Sequence, residues 1–357
     1  MKKSPHLDHA LVAGCIALFS VFATADALAQ TAPPAGLQVP AKTIQVPTTV
    51  SPQLQKIIGA PLRANWDIQP KTGEEWKLVA EAGAVPTIKN VPGMLERLKV
   101  KVEKTTIDGV RAYIVTPETV APENRNRQLI HMHGGCYVLN PGEAGLPEAI
   151  FMAGFGHIKV ISVDYRMPPE AVFPAALDDG ITVWKAALKT TDAKNMAIFG
   201  TSAGGALTLE MVLKAKELGL PLPAAIAPGT PMSDVTKVGD SFYTNAMVDN
   251  VLVSPDGFCD AGAKVYANGH DLKDPLLSPV YGDMKGFPPT ILTSGTRDLL
   301  LSNTVRVHRK LRQAGVEAVL QVFEGMSHAH YVRDDTAPES KEAFEEIAGF
   351  FNKHLAK

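Results

Sequence analysis

From about residue 95 to the end of the chain, short apolar runs alternate with segments that have the hydrophobic period of a helix. Five of these runs are each followed by a loop: QLIHMH, IKVISVDY, NMAIFG, AAIAPG and TILTSG. Runs that are apolar throughout indicate strands covered on both faces, because a strand with one solvated face would alternate. Helical patterns at residues 203–218 and 305–314, the second ended by Gly315, complete the alternation. The pattern predicts an α/β fold with a mostly parallel central sheet and helices on both faces.

The sheet is expected to begin with a hairpin at residues 97–117, where apolar residues alternate on either side of Asp108-Gly109. This dipeptide suits the tight turn between two antiparallel strands. Two segments do not follow the alternation of strand and helix patterns. They are residues 51–92, with helical stretches around Leu54 and Trp76, and residues 235–275. We expect both to form a helical cap over the carboxyl edge of the sheet, where ligands bind in such folds. The α/β domain would then cover residues 93–357, with 235–275 as an insertion.

The amino-terminal residues have the pattern of an export signal. Lys2 and Lys3 precede a mostly apolar stretch, and Ala27 and Ala29 form a small-x-small cleavage site. We predict a secretory signal peptide at residues 1–29, then a flexible arm at 30–50, and therefore a periplasmic or secreted protein. A membrane anchor is disfavoured because the apolar run is shorter than the roughly 20 residues that a spanning helix needs. A lipoprotein signal ending at Cys15 is disfavoured because almost no apolar segment precedes it.

The charge balance, the cysteines and the histidines indicate neither nucleic-acid binding nor a metal site. Lys and Arg total 35 against 37 Asp and Glu, and no basic run is present, so we do not expect binding to nucleic acid. After the signal, only Cys136 and Cys259 remain, and their spacing fits no zinc motif. No two histidines are spaced i, i+4 with a carboxylate beside them, so no metal site is expected. No organic cofactor is implied.

The sequence GTSAG at residues 200–204 lies between an apolar run and a helical pattern. A G-x-S-x-G turn between strand and helix holds a serine hydroxyl exposed for nucleophilic attack, and its glycines let strand and helix approach closely. The motif alone is weak evidence, because small residues are frequent at helix starts. Its position between a strand and a helix makes Ser202 the candidate nucleophile.

A serine nucleophile needs a base, and the base needs an acid that orients it; in α/β folds of this kind they follow in the order Ser, Asp, His. Asp298 ends one late strand pattern and His328 ends the next, which gives that order. Each could have a structural role by itself, Asp298 as a helix cap and His328 as a loop residue. Their joint order and strand-end positions favour the catalytic interpretation. His330, two residues later, is the rival base.

The sequence HMHGGC, residues 131–136, places two glycines after a strand pattern. Acyl transfer passes through an oxyanion that fixed N–H groups stabilise, and in this fold they come from such a loop and from the residue after the nucleophile, here Ala203. Cys136 is expected to serve as a backbone donor with a negative φ. We expect its thiol to pack locally rather than to be reactive or to form a disulfide.

With these motifs, the chain resembles the hormone-sensitive-lipase-like carboxylesterases of the α/β-hydrolase fold over roughly residues 95–350. The resemblance is carried by five ordered motifs: HGGC, DYRMPPEAVFPAALDD, GTSAGG, GTRDLLLSNTVRVHRKLRQAGV and FEGMSHAHY. It implies Ser202 as the nucleophile, His328 as the base and Asp298 as the acid that orients the base. It also implies an oxyanion hole formed by Gly135, Cys136 and Ala203. It also implies structural roles for the DYR..PE stretch, and loop-orienting roles for His133 and Gly134. This sequence departs from the family at Cys136, usually glycine, and at Ala329-His330, usually Gly-Phe.

The sequence therefore predicts an exported serine carboxylester hydrolase that cleaves small to medium neutral esters or lactones through a covalent acyl-enzyme. A peptidase or amidase on the same triad is an alternative, although no propeller-like repeat that would filter peptides is present. A non-catalytic hydrolase-like binding protein is a second alternative, and it predicts a broken triad. The oligomeric state stays open, with a homodimer as one option.

Overall fold

The computed structural model describes residues 36–356 in two units, residues 36–44 and residues 45–356. The smaller unit contains no helix or strand within its described residues. The predicted signal peptide at residues 1–29, and residues 30–35 of the predicted arm, lie outside the described residues. Between residues 36 and 356, no helix combines the length and the apolar character needed to cross a membrane.

Eight strands of the larger unit form one sheet. Their bounds are β1 (Val100–Ile107), β2 (Val110–Pro117), β3 (Gln128–Met132), β4 (Lys159–Val163), β5 (Met196–Thr201), β6 (Ala225–Gly229), β7 (Thr290–Gly295) and β8 (Ala318–Phe323). The strand order is β1-β2-β4-β3-β5-β6-β7-β8. Strand β2 runs antiparallel to both of its neighbours, and the other neighbouring pairs are parallel. The predicted α/β fold with a mostly parallel sheet is confirmed.

Nine α-helices are found among the described residues. Their bounds are α1 (Pro52–Ile58), α2 (Gly73–Leu98), α3 (Pro147–Gly156), α4 (Ala175–Leu188), α5 (Ala203–Glu217), α6 (Ser241–Thr244), α7 (Phe258–Ala267), α8 (Leu301–Gln313) and α9 (Pro338–His354). Helices α6 and α7 lie in the predicted insertion at residues 235–275, which we call the cap segment.

The hairpin turn has the backbone geometry, and the central strands have the burial, that the sequence predicts. Asp108 and Gly109 have positive φ values of 46° and 89°, as a two-residue hairpin turn requires, and Ile107 pairs with Val110. Every residue of β3, β5, β6 and β7 is buried. Successive residues of β3, Leu129 and Ile130, belong to different core clusters, because side chains alternate between the two faces of a sheet.

Helix α2 crosses the boundary predicted at residues 92 and 93. It begins with a capping box formed by Thr72 and Glu75 and continues through Pro86 and Pro92 to Leu98. Prolines usually end a helix. Helix α2 continues past both prolines because it buries a long stripe of side chains against the α/β domain: Trp76, Ala80, Ala84, Val91 and Met94. The segment predicted as a cap is therefore continuous with the first element of the sheet domain.

Candidate active site

Ser202 lies at the turn between β5 and α5 with φ 64° and ψ −120°. A positive φ is strained for a residue with a side chain, and it persists only where the surroundings fix it. Here the Ser202 N–H donates to the carbonyl oxygen of Gly229 (2.9 Å), and its own carbonyl accepts from the N–H of Met232 (2.9 Å). The turn is thus fixed to the end of β6.

The glycines on either side of Ser202 are required by close approach of the backbone. A Cβ at Gly200 would lie 2.1 Å from the carbonyl oxygen of Met132, and one at Gly204 would lie 1.8 Å from the same atom. No side chain fits at either position without moving β3. The G-x-S-x-G pattern thus follows from how tightly α5 and β5 pack against β3.

Asp298 and His328 are brought together by the turns that follow β7 and β8, which we call the acid turn and the base turn. His328 Nδ1 lies 3.1 Å from Asp298 Oδ1, and both side chains are buried. Burial alone would raise the pKa of Asp298, but the adjacent His328 and donors from Thr230 and Leu300 hold that pKa below its ordinary value. Asp298 is therefore a carboxylate that can orient the His328 ring.

Other hydrogen-bond donors to Asp298 were not predicted from the sequence. The Thr230 hydroxyl donates to Asp298 Oδ2 and lies 3.2 Å from His328 Nδ1. The Ser294 hydroxyl donates to the same oxygen at 2.8 Å, and the N–H of Leu300 donates to Oδ1 at 2.8 Å. Thr230 directly follows β6, so its strand-end position was the available signal.

Ser202, Asp298 and His328, which we call the candidate triad, all lie at the carboxyl edge of the sheet. Within residues 36–356, no hydrogen bond joins the Ser202 hydroxyl to the His328 ring. Such bonds are often long in structures without substrate and shorten in the reacting complex. The structure therefore assembles the acid–base pair and places the serine on the same edge.

The loop after β3, residues 133–140, lies against the serine turn, and we call it the glycine loop. A Cβ at Gly134 would lie 2.7 Å from the carbonyl oxygen of Thr201 and 3.3 Å from Ser202 Cβ. None of the hydrogen bonds found among the described residues uses the N–H of Gly135, Cys136 or Ala203. Among the described residues, these three N–H groups therefore have no protein acceptor.

A family model described as the α/β-hydrolase fold matches residues 129–332, more than half of the chain. The chain is 30% identical over 256 residues to an esterase of Acinetobacter venetianus, covering 70% of this chain and 82% of that protein. The crystal structure of an esterase superposes with a TM-score of 0.87 at 45% identity, covering 90% of this chain and 99% of that one. An esterase from the bacterial hormone-sensitive lipase family superposes with a TM-score of 0.68 at 26% identity, covering 76% and 99%.

The chain belongs to the hormone-sensitive-lipase-like carboxylesterases of the α/β-hydrolase fold. This confirms the family that the five sequence motifs indicated.

The expectation for Cys136 is wrong in two respects. Cys136 forms a disulfide with Cys259 of α7, with Cα atoms 5.2 Å apart. Its φ is 54° rather than negative, and the following Tyr137 is also left-handed at 63°. The physical reason is that the cap segment lies on the glycine loop, which brings two cysteines together across 123 residues of sequence. No spacing rule could have indicated that pair.

Aromatic and polar contacts also hold the glycine loop from its two sides. The Tyr137 ring stacks on Tyr266 of α7 with centroids 4.5 Å apart, and its hydroxyl donates to Glu210 of α5 at 3.0 Å. Burial raises the pKa of Glu210 well above its ordinary value. The loop that this family uses for oxyanion binding is thereby attached to both the cap segment and the serine helix.

His133 and the DYR..PE stretch hold the glycine loop near its two ends. His133 Nδ1 donates to the carbonyl oxygen of Gly134 at 2.8 Å, and burial lowers the pKa of His133 to about 4. The Tyr165 ring stacks on His133, and its hydroxyl donates to the His133 carbonyl at 2.8 Å. Asp164 accepts from the N–H of Gly142 at 2.9 Å. These contacts fit the structural roles that the family resemblance implied.

His330, the rival base, uses both ring nitrogens elsewhere. Its Nδ1 accepts from the N–H of Ser327 at 3.1 Å, and its Nε2 donates to Asn250 Oδ1 at 2.9 Å. Burial, with a smaller contribution from Arg333, lowers the pKa of His330 to about 3. The ring is therefore a neutral structural group, whereas the His328 ring is the one that contacts Asp298.

Two clefts of about 610 and 520 Å³ lie beside Pro168 and Pro169. No member of the candidate triad lines either cleft. The smaller one is lined by charged groups, including Arg111, Asp164 and Glu170, which suit solvent rather than an acyl chain. We assign no substrate to these clefts.

Proposed function

We propose that this carboxylesterase hydrolyses small to medium neutral esters or lactones through a covalent acyl-enzyme on Ser202. The observation that carries the proposal is the buried pair of Asp298 and His328, 3.1 Å apart, at the sheet edge where the strained Ser202 turn also lies. A strained serine, an oriented base and free N–H groups on one edge are the parts that acyl transfer requires.

In the first half of the reaction, His328 Nε2 takes the hydroxyl proton of Ser202 as the oxygen attacks the ester carbonyl. The carbonyl double bond becomes an oxyanion, and the tetrahedral intermediate collapses when the bond to the alkoxy group breaks. The alkoxy group leaves as an alcohol with the proton from His328. Asp298 stays ionised and stabilises the imidazolium, since its hydrogen-bond donors stabilise the charged form.

In the second half, His328 takes a proton from water as the water oxygen attacks the acyl-enzyme and forms a second tetrahedral intermediate. The bond between the acyl carbon and the Ser202 oxygen then breaks, His328 returns its proton to that oxygen, and the carboxylic acid is released. In both halves the oxyanion would bind the N–H groups of Gly135, Cys136 and Ala203. Each such donor is worth about 2.7–4 kcal/mol when it is removed. The left-handed backbone at Gly135 and Cys136 supports this assignment, because it leaves both N–H groups without a protein acceptor among the described residues.

The same proposal includes export to the periplasm or the medium. It is supported by the signal-like pattern of residues 1–29 and by the Cys136–Cys259 disulfide, because disulfides persist in oxidising compartments. Fractionation of expressing cells and mass determination of the mature chain test it. Export predicts a mature protein that begins at Gln30.

The test of the activity is hydrolysis of p-nitrophenyl esters of increasing acyl length by the mature protein. We expect turnover to peak at a short or medium acyl chain, and Ser202→Ala to lower kcat by about a millionfold. A phosphonate ester should modify the protein once, and peptide mass spectrometry should locate the adduct on Ser202. A folded protein that turns over none of these esters, or that is labelled at another residue, contradicts the proposal.

A further inference from the structure

Asp249 is a completely buried carboxylate in the cap segment, between α6 and α7. Its two oxygens accept four backbone N–H groups. Oδ1 accepts from Val251 at 2.8 Å and Leu252 at 3.0 Å, within the cap segment itself. Oδ2 accepts from Leu299 at 2.8 Å and His328 at 3.2 Å.

The second pair of bonds reaches both halves of the acid–base pair. Leu299 directly follows Asp298 in the acid turn, and His328 is in the base turn. One carboxylate oxygen therefore joins the backbones of two turns that come from different strands, β7 and β8. A shift of Asp249 would change the distance between the two side chains that these turns carry.

The next residue, Asn250, contacts the base turn a second time. Its N–H donates to Ser327 Oγ at 3.2 Å, and its Oδ1 accepts from His330 Nε2 at 2.9 Å. Its Nδ2 donates to the carbonyl oxygens of Ile57 at 2.9 Å and Ala60 at 3.2 Å, at the end of α1. Asn250 thus connects the base turn to the end of α1, which lies in the other segment that the sequence predicts as cap.

If Asp249 only linked the acid turn and the base turn structurally, a neutral side chain would be sufficient. Burial and the nearby Asp298 raise the pKa of Asp249, whereas His328 and the N–H donors oppose that rise. Holding a second carboxylate near Asp298 therefore costs free energy that a neutral group of the same shape would avoid. The four N–H donors favour the ionised form of Asp249, and this charge has a use in the reaction, since it favours the positive form of His328 that appears after proton transfer. The other charged group that interacts with Asp249 is Arg333.

We propose that Asp249 and Asn250 are positioning residues of the esterase reaction, which set the geometry of His328 relative to Asp298 from the cap segment. This inference rests on the proposed function, because it assigns a role in the same triad. It makes the cap segment part of the catalytic geometry.

The test is Asp249→Asn, which keeps the shape of the side chain but removes the charge and one pair of acceptor sites. We expect kcat for a p-nitrophenyl ester to fall about 100-fold, since misplacement of a catalytic group by about 1 Å has that effect. KM should stay within about threefold, because Asp249 does not touch substrate. The far-downfield proton resonance of the His328–Asp298 hydrogen bond should shift or broaden.

Asp234→Asn is the matched control. Asp234 is also buried and also accepts a backbone N–H, from Thr236 at 2.8 Å, and it pairs with Arg306 at 2.6 Å. Among the described residues, it makes no hydrogen bond or ion pair to the acid turn or the base turn. We expect this variant to lose thermal stability while its kcat and its downfield resonance stay as in the unsubstituted protein.

The outcomes separate the inference from the proposed function. An unsubstituted protein without esterase activity contradicts the proposed function, and the resonance still tests the positioning. Equal kcat values for Asp249→Asn and the unsubstituted enzyme, or equal losses in Asp249→Asn and Asp234→Asn, overturn the inference. If Asp249→Asn does not fold, Asn250→Ala replaces it. That variant should lower kcat about tenfold, and an unchanged kcat there also overturns the inference.

Discussion

Cys136 and Cys259 join the glycine loop to helix α7 by a disulfide, in a region where both residues are buried. Because the Cys136 N–H is one of the groups that we propose bind the oxyanion, a covalent bond connects the cap segment to the candidate site. Tyr137 and Tyr266 stack beside it, so covalent and aromatic contacts act on the same loop.

Loss of this disulfide should lower stability more than activity. Cys259→Ser opens a loop that spans 123 residues, and we expect the free energy of unfolding to fall by about 2–5 kcal/mol, because the unfolded chain regains conformational freedom. Urea denaturation without reductant measures the difference. The unsubstituted protein in reductant is the control and should match the variant, whereas equal stability of the oxidised protein and the variant would contradict the prediction.

The tight contact at Gly204 predicts a sharp contrast between two glycines. Gly204→Ala would place a Cβ 1.8 Å from the carbonyl oxygen of Met132, and backbone cannot move aside cheaply. We expect a loss of more than about 3 kcal/mol, or no soluble protein. Gly83→Ala, in the exposed middle of α2 with open space at its Cβ, should gain up to about 1 kcal/mol. Thermal denaturation compares the two, and a well-folded Gly204→Ala protein with an unchanged melting temperature would contradict the packing argument.

The fold and the candidate triad could be predicted because their signals are local. Ser202 lies between a strand and a helix pattern, and Asp298 and His328 each end a strand pattern, so their strand-end positions predicted one shared edge. The contacts around them could not be predicted in this way. Asp249 reaches His328 across 79 residues, and it lies in a segment that has no hydrophobic period to fix its register.

The error at Cys136 has a related cause. The sequence shows that position 136 lacks the usual glycine, but not that helix α7 covers the loop and brings Cys259 to it. The left-handed backbone at Cys136 and Tyr137 is likewise a product of tertiary contacts, since neither residue type favours it. Cap segments are therefore where single-sequence reasoning is weakest in this chain.

The Thr230 hydroxyl should contribute measurably to turnover. It donates to Asp298 and lies 3.2 Å from His328 Nδ1, so Thr230→Val leaves a buried carboxylate with one donor fewer. We expect kcat to fall about tenfold, equivalent to about 1.4 kcal/mol in the barrier. Thr230→Ser keeps the hydroxyl and should restore most of the activity. If the valine variant turns over as fast as the unsubstituted enzyme, the hydroxyl has no part in orienting the acid.

His330 should make the protein less stable in acid. Burial lowers its pKa to about 3, below the ordinary value of 6.5 that it regains when the chain unfolds. As the pH falls below 6.5, the unfolded chain therefore binds a proton that the folded protein does not, and folding stability is lost down to about pH 3. Between pH 7 and pH 4 this loss amounts to about 3 kcal/mol for His330 alone.

His330→Gln tests that assignment, because glutamine can still donate to Asn250 but does not titrate. Urea denaturation at pH 7, 5 and 4 should show that stability falls less steeply with acid in this variant than in the unsubstituted protein. Burial also lowers the pKa of His133, to about 4, so His133 likewise destabilises the fold in acid. It should account for part of the pH dependence of stability that the variant retains. A variant whose stability depends on pH as steeply as that of the unsubstituted protein would mean that His330 binds its proton in the folded protein as readily as in the unfolded chain. Its bond from the Ser327 N–H would then be impossible, since a protonated Nδ1 cannot accept.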